Sequence, residues 1–358
     1  MIDSPTLLLD RDRALRNLHR MQDRAQAAGV GFRPHFKTHQ SRAVGEWYRE
    51  AGIDRITVSS IAMAEYFADA GWDDILVAFP LNPLALPRYQ ALGSRVRLAT
   101  LVDNPAALAV IADGPEPTMD LYVDIDAGYG RTGVPADQAD RVGALIDTID
   151  AMSGLTFRGF YCHPGDTYHH ADADERGAIH TRATDGLQAL KQRFAAHTPR
   201  VLMGDTPGCS TADGFPGVDE ITPGNFIFYD LVQASLGACD EDDIAIAMAC
   251  PVVGHYPDRG EIVIHGGGVH FAKDVLEVDG RHVFGKLAER DGDGWRISRQ
   301  ALYLDSISQE HGIIRVPAER LNEFRVGDVV IVLPVHSCMT ADAMGGYVDL
   351  NGVAIDHF

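Results

Sequence analysis

Between about residue 30 and residue 230, eight short apolar runs alternate with stretches of helical spacing, and this constrains the fold most. The runs are GFRPHFK (31–37), DRITVSS (54–60), DDILVAF (73–79), RVRLATLV (95–102), MDLYVDID (119–126), TFRGFYCH (156–163), RVLMGD (200–205) and EITPGNF (220–226). Each has the length of a strand rather than a helix. The segments between them, such as SRAVGEWYREAG and IAMAEYFADAG, end at glycine, a common helix stop. Eight such alternations predict a (β/α)8 barrel, with a doubly wound open sheet as the rival.

After about residue 240 the pattern changes. IAIAMACPVVGHY, GEIVIHGG, VLEVDGRHVFGKL and FRVGDVVIVLPVHSC are β-rich, with Gly and Asp at the turns. A second, β-rich domain follows from this. The expected boundaries are 10–238 for the barrel and 239–358 for the β-domain. The N-terminal strand in residues 1–9 (PTLLLD runs to 10) is left over and is expected to join the second domain.

Composition narrows the function classes. The 358 residues allow one large domain or two, and 46% hydrophobic residues suffice for a core. A net charge of −20 argues against nucleic acid as a partner, while leaving room for a small basic pocket. No stretch reaches the roughly 20 apolar residues of a membrane span. The start, MIDSPTLLLD, has no basic n-region, so no signal peptide is expected. The cysteines (Cys162, Cys209, Cys239, Cys250, Cys338) are odd in number and lack CxxC spacing. That pattern predicts reduced thiols and a cytoplasmic protein.

The segment FRPHFKTHQS sets Arg33, His35, Lys37 and His39 at alternate positions, on one face if the chain is extended. A solvated edge would account for this; a site for an anionic cofactor would account for more. Barrels hold their chemistry at the C-terminal ends of strands. Lys37, Asp126 and His163 lie at such ends, and the loops GDTPGCS and TPGN follow strands seven and eight, where barrels often bind phosphate. The chain has only four lysines: Lys37, Lys191, Lys273 and Lys286. Lys191 and Lys286 sit in polar patterns and are expected to be solvated. Nearby cations lower a lysine pKa and make its amine a nucleophile. A Schiff-base lysine opposite a phosphate loop is what pyridoxal 5′-phosphate (PLP) requires.

Three further motifs stand out. In PVHSC, His336 and Cys338 are two apart after an apolar run and share a face if extended; imidazole and thiolate together favour Zn2+. The alternative is a buried Cys beside a satisfied His. SQEHG places Glu310 beside His311, a general acid/base or third-ligand region, or else a surface turn. HGGGVHFAKD offers three glycines before His270 but lacks the strand–GxGxxG–helix context of a dinucleotide site.

Together these residues resemble the fold-type III PLP enzymes, in the metal-activated D-serine dehydratase / D-threonine aldolase branch. RPHFKTHQ is similar to the PLP-lysine motif, DIDAGYGRTGV to the segment carrying an arginine near the cofactor (Arg131), and YCH to the strand whose histidine (His163) stacks on its ring. TPGNFIFYD resembles the phosphate-binding strand end, and SQEHG and VHSC the C-terminal blocks. Two positions depart from the pattern: Gln40 stands where a lysine is common, and Asp166 where relatives often have histidine.

The resemblance implies an alanine racemase-like barrel with a β-domain, a homodimer, and β-hydroxy-D-amino acids as substrates. It implies PLP on Lys37, with Arg131, His163, Ser210, Gly224, Asn225 and Tyr229 around the cofactor. It also implies Zn2+ or another divalent metal on His336 and Cys338. Lys37 and His311 are the catalytic candidates. Cysteine in the metal pair favours dehydration to a 2-oxo acid and ammonia. Retro-aldol cleavage of D-threonine or 3-hydroxy-D-aspartate to glycine and an aldehyde is the alternative, and a non-catalytic PLP-binding protein is the alternative from another class.

Overall fold

The computed structural model describes residues 2–112 and 118–358. It divides into two compact units. One comprises Arg20–Lys37 and Gly45–Gly224; the other comprises Met1–His19, Thr38–Val44 and Asn225–Phe358. The expected division at 238/239 therefore moves to 224/225. Residues 38–44, directly after Lys37, are counted with the β-rich unit.

The chain opens with strand β1 (Thr6–Leu9) and helix α1 (Arg11–Ala27). The first unit then lays down β2 (Gly31–Phe32), β3 (Ile56–Val58), β4 (Asp74–Pro80), β5 (Arg97–Val102), β6 (Met119–Asp126), a short β7 (Val134–Pro135), β8 (Leu155–Cys162), β9 (Arg200–Met203) and β10 (Glu220–Ile221). The helices between them include α2 (Arg42–Glu50), α3 (Ile61–Asp69), α4 (Leu86–Gly93), α5 (Pro105–Ala112), α6 (Ala139–Asp150), α7 (Ala173–Arg193) and the short α8 (Thr206–Thr211).

The strands run in parallel in the order β2-β10-β9-β8-β6-β5-β4-β3, with β7 beside β6. The sheet closes on itself where Phe36 N–H donates to Thr57 O (2.8 Å) and Thr57 N–H donates to Pro34 O (2.9 Å). The unit is a (β/α)8 barrel. Leu76, Ala99, Leu101, Tyr122, Tyr161 and Leu202 form a buried cluster. Gly159 in β8 is obligatory: its φ is +147°, and a Cβ there would lie 1.8 Å from Arg200 O.

The sequence expected a strand over 31–37 with four cationic side chains on one face. The structure corrects this. β2 ends at Phe32, because Pro34 has no N–H to donate and beyond it only the isolated bridge at His35 remains. Arg33 is spent on the barrel's own ion network. Its Nε donates to Glu220 (2.7 Å) and its Nη1 to Asp74 (2.7 Å). Arg55 and Arg200 bind the other Glu220 oxygen (3.0 and 2.7 Å), and that side chain is fully buried. Burial alone would raise the Glu220 pKa, but Arg33 first, then Arg200 and Arg55, hold it low. His39 is fully buried, and burial pushes its pKa down to about 3.

The second unit is built on β11 (Ile246–Tyr256), followed by β12 (Glu261–His265), β13 (Leu276–Val278), β14 (Arg281–Val283), β15 (Gly285–Asp291), β16 (Gly294–Ile297), β17 (Leu304–Ile307), β18 (His311–Arg315), β19 (Val329–Pro334), β20 (Tyr347–Asp349) and β21 (Ala354–Ile355). Its helices include α9 (Leu231–Ser235), α10 (Gly268–Phe271) and α11 (Ser337–Met344). β11 pairs antiparallel with β1, β19 and β12. Its residues 246–250 are wholly buried, which makes it the centre of the sheet. β1 pairs with β11 and, in parallel, with β20, so the leftover N-terminal strand is part of this sheet.

Candidate active site

Phe36 fixes the end of the first barrel segment. Its ring is fully buried among Tyr48, Phe67 and Trp72, with centroids 4.8–5.1 Å away. Burying such a ring is worth about 2–3 kcal/mol. Lys37 follows directly, half-buried, with its N–H donating to His35 Nδ1 (3.2 Å).

His163 lies at the end of β8 and bonds through Nδ1 to Gly204 O (2.6 Å). A carbonyl only accepts, so Nδ1 carries the proton and Nε2 keeps a free lone pair. Burial, then the charges of Lys37 and Arg131, hold the ring neutral with a pKa of about 3. Lys37, Arg131 and His163 thus share one electrostatic neighbourhood.

Arg131 rides on a clamped loop. Asp126 accepts from Gly128 N (2.8 Å) and Gly130 N (3.1 Å), Asp124 from the Thr132 hydroxyl (2.7 Å), and Asp103 from Gly133 N (3.2 Å). The Arg131 guanidinium stands 5.3 Å over the Tyr129 ring, which in turn meets His163 edge-on at 5.8 Å. Burial raises the Asp124 pKa to about 6, against the Thr132 hydrogen bond.

After β9, the expected phosphate loop is the short helix α8. Its N-terminus is already engaged: Asp205 accepts from Gly208 N (2.6 Å) and the Thr167 hydroxyl (2.7 Å). The Thr206 hydroxyl is buried without a hydrogen-bond partner, as a site built for an additional group would leave it. Ser210 lies further along α8, half-buried, and Gly224 is buried after β10.

Within the β-rich unit, His336 and Cys338 do come together, by a different route from the one expected. β19 ends at Pro334, His336 is the N-cap of α11, and Cys338 is in its first turn. The segment is therefore not extended. A helix N-terminus favours an anionic sulfur. Cys338 Sγ lies 3.2 Å from Thr38 Oγ1 and 3.5 Å from Asn225 Nδ2. Asp230, almost fully buried, accepts from Asn225 Nδ2 (2.6 Å), Ser337 N (2.9 Å) and Ser337 Oγ (3.2 Å). His336 Nδ1 stands 3.5 Å from Asp274. Burial works against the imidazolium, but Asp274 and Cys338 outweigh it and push the His336 pKa up to about 11. Surroundings that favour a proton this strongly also favour a cation. The donor set, one imidazole and one thiol with a carboxylate beside them, fits a borderline-soft divalent metal.

The remaining expectations fare differently. Asn225 directs its amide to Asp230, Ser337 and Cys338, all within the β-rich unit. Tyr229 is buried with a left-handed φ of +49°. His311 is exposed on β18, while Glu310 turns toward His265 and His270. Lys191 and Lys286 are not merely solvated: they pair with Asp219 and Glu241, each at 2.6 Å. Sequence reasoning missed Thr38, Asp230 and Asp274, because each meets its partner across a long stretch of chain and no spacing announces it.

Residues 9–231 match the alanine racemase N-terminal domain, and residues 245–349 match a putative serine dehydratase domain. The D-threo-3-hydroxyaspartate dehydratase of Delftia sp. (strain HT23) is 33% identical over 97% of this chain and 93% of its own length. Its solved structure superposes with a TM-score of 0.93, covering 100% of this chain and 98% of that one at 30% identity. A cysteine-to-alanine mutant of a D-threo-3-hydroxyaspartate dehydratase, in a metal-free form, matches equally well, with a TM-score of 0.93 and 30% identity over 100% and 98% of the two chains. The D-serine dehydratase of Dictyostelium discoideum is 27% identical over 98% of this chain and 94% of its length.

Proposed function

The chain belongs to the serine dehydratase branch of the alanine racemase-like family of PLP-dependent lyases, and from that premise we propose a metal-dependent dehydratase of β-hydroxy-D-amino acids. Its products are a 2-oxo acid and ammonia. The observation that carries this reading is the sulfur at position 338, held beside His336 at the turn into α11. A cysteine mutant of a similar dehydratase in a metal-free form supports it. Thiolate and imidazole favour Zn2+ over Mg2+ as the native metal.

When bound, PLP supplies the electron sink that makes the α-proton removable, and the metal supplies Lewis acidity at the β-hydroxyl. The chain's own groups do the rest. Lys37 Nζ would hold the cofactor, and its amine would accept the α-proton. His163 presents an uncharged ring, and its Nδ1–H to Gly204 O fixes how that ring stands. Arg131 supplies a cation held in place by the carboxylate-clamped loop. Asp274 orients the His336 ring, while Thr38 and Asn225 hold the Cys338 sulfur. Such outer partners commonly govern metal affinity.

We further propose a homodimer, to be checked by light scattering. Cytoplasmic residence accords with the free cysteines.

The reaction is tested with a panel of D-3-hydroxyaspartate, D-serine and D-threonine, reading 2-oxo acid, ammonia and glycine separately. Dehydration predicts equal 2-oxo acid and ammonia. Stoichiometric glycine plus aldehyde would replace this reading with the aldolase.

A further inference from the structure

The chemistry above does not use the glycine run at 266–268. That run makes a close approach possible. A Cβ on Gly267 would lie 2.4 Å from Ser308 O and 2.5 Å from Gln309 O, and one on Gly266 would lie 2.6 Å from Cys250 Sγ. With glycine there, Gly266 N–H donates to Glu310 O (2.9 Å) and Gly268 N–H to Ser308 O (2.7 Å). The end of β12 is thereby pressed onto the turn between β17 and β18. That contact brings three side chains together: His265, His270 and Glu310, whose ligand atoms all lie within 4.8 Å of one another.

We propose that His265, His270 and Glu310 form a second divalent-cation site, separate from the His336–Cys338 pair. Glu310 Oε2 is 3.3 Å from His265 Nε2 and 3.7 Å from His270 Nε2. The second distance is too long for a hydrogen bond. A tetrahedral ion with bonds of about 2.0–2.2 Å has ligand–ligand edges of roughly 3.3–3.6 Å, close to both. Two imidazoles and one carboxylate, half-open to solvent, are a donor set that catalytic zinc uses.

Binding has two costs, the first being the His265 Nε2–Glu310 Oε2 hydrogen bond (3.3 Å), whose proton the cation replaces. Gly267 N–H donates to His270 Nδ1 (3.2 Å), which places that ring's proton on Nε2. A cation on Nε2 moves the proton to Nδ1 and gives up this bond. The site is therefore weaker than the thiolate site and fills second. Once filled, it ties β12 and α10 to the β17–β18 turn.

The test uses Zn2+ alone, with metal analysis after equilibrium dialysis. Wild type should take up two ions per chain, and a His336→Ala/Cys338→Ala variant one. Adding His265→Ala or Glu310→Gln to that variant should abolish the remaining ion; His270→Gln serves if either fails to fold by circular dichroism. Substitution with Co2+ gives a second signature: a thiolate charge-transfer band should accompany the first equivalent and not the second. The proposal is overturned if the pairless variant binds no ion, or if its uptake survives loss of His265 and Glu310. Neither result bears on the dehydratase reading, which rests on the other pair.

Discussion

Asp124 is a carboxylate kept in the barrel at a cost. Its folded pKa of about 6 lies above the unfolded value, so the folded state binds more protons between roughly pH 4 and pH 6. Stability from this group is full below the unfolded pKa and is lost as pH rises through the folded one. Asp124→Asn, which keeps an acceptor for Thr132, should therefore stabilise the protein at pH 8 by up to about 3 kcal/mol. The gain should shrink to under about 1 kcal/mol near pH 4, as read by urea denaturation at the two pH values. No gain at pH 8 would mean that Arg131 already compensates the charge. Lys37 gives the second test at this scale. Borohydride reduction of the holoprotein should leave the cofactor on the peptide containing Lys37, and a label on Lys273 would sink the assignment. Lys37 stands out as the candidate in the sequence because lysine is scarce here, and because Lys191 and Lys286 occupy plainly polar stretches. Thr38 was not: nothing local marks a hydroxyl that meets a sulfur 300 positions away.

Among the elements, the strands of the barrel were readable because each is an apolar run of strand length. Their ends were not. The first stops at Phe32, ahead of Pro34, and the Arg33 side chain turns to Glu220 and Asp74, partners that no local pattern reveals. Glu220→Ala leaves three guanidinium groups without their buried anion. It should cost about 3–5 kcal/mol and lower the melting temperature on the order of 10 °C. The start of α11, at Ser337 and Cys338, was read as the extended end of the preceding apolar strand. The signal overlooked was the helix-forming ADAM stretch closed by Gly345 in the left-handed region (φ +62°). α2 shows another long-range dependence. Its first N–H groups, on Arg42 and Ala43, donate to Asp356 (2.9 and 3.0 Å), and the Ser41 hydroxyl donates there too (2.8 Å). Asp356→Ala should cost about 1 kcal/mol, as loss of a helix cap does, measured by thermal melting.

For the molecule as a whole, the change of pattern near residue 240 correctly separated a barrel from a β-rich unit. It could not show that residues 1–19 and 38–44 belong with the second. The proposed reaction requires the pair His336 and Cys338 to hold a metal, and turnover should fail without it. The direct measurement is 2-oxo acid formation from D-3-hydroxyaspartate or D-serine after chelation, with metal loss verified by elemental analysis and retained PLP verified by absorbance. The rate should fall at least about 100-fold, the scale on which a metal acts as a Lewis acid, and recover on adding Zn2+. An undiminished rate in verified metal-free protein would contradict this requirement.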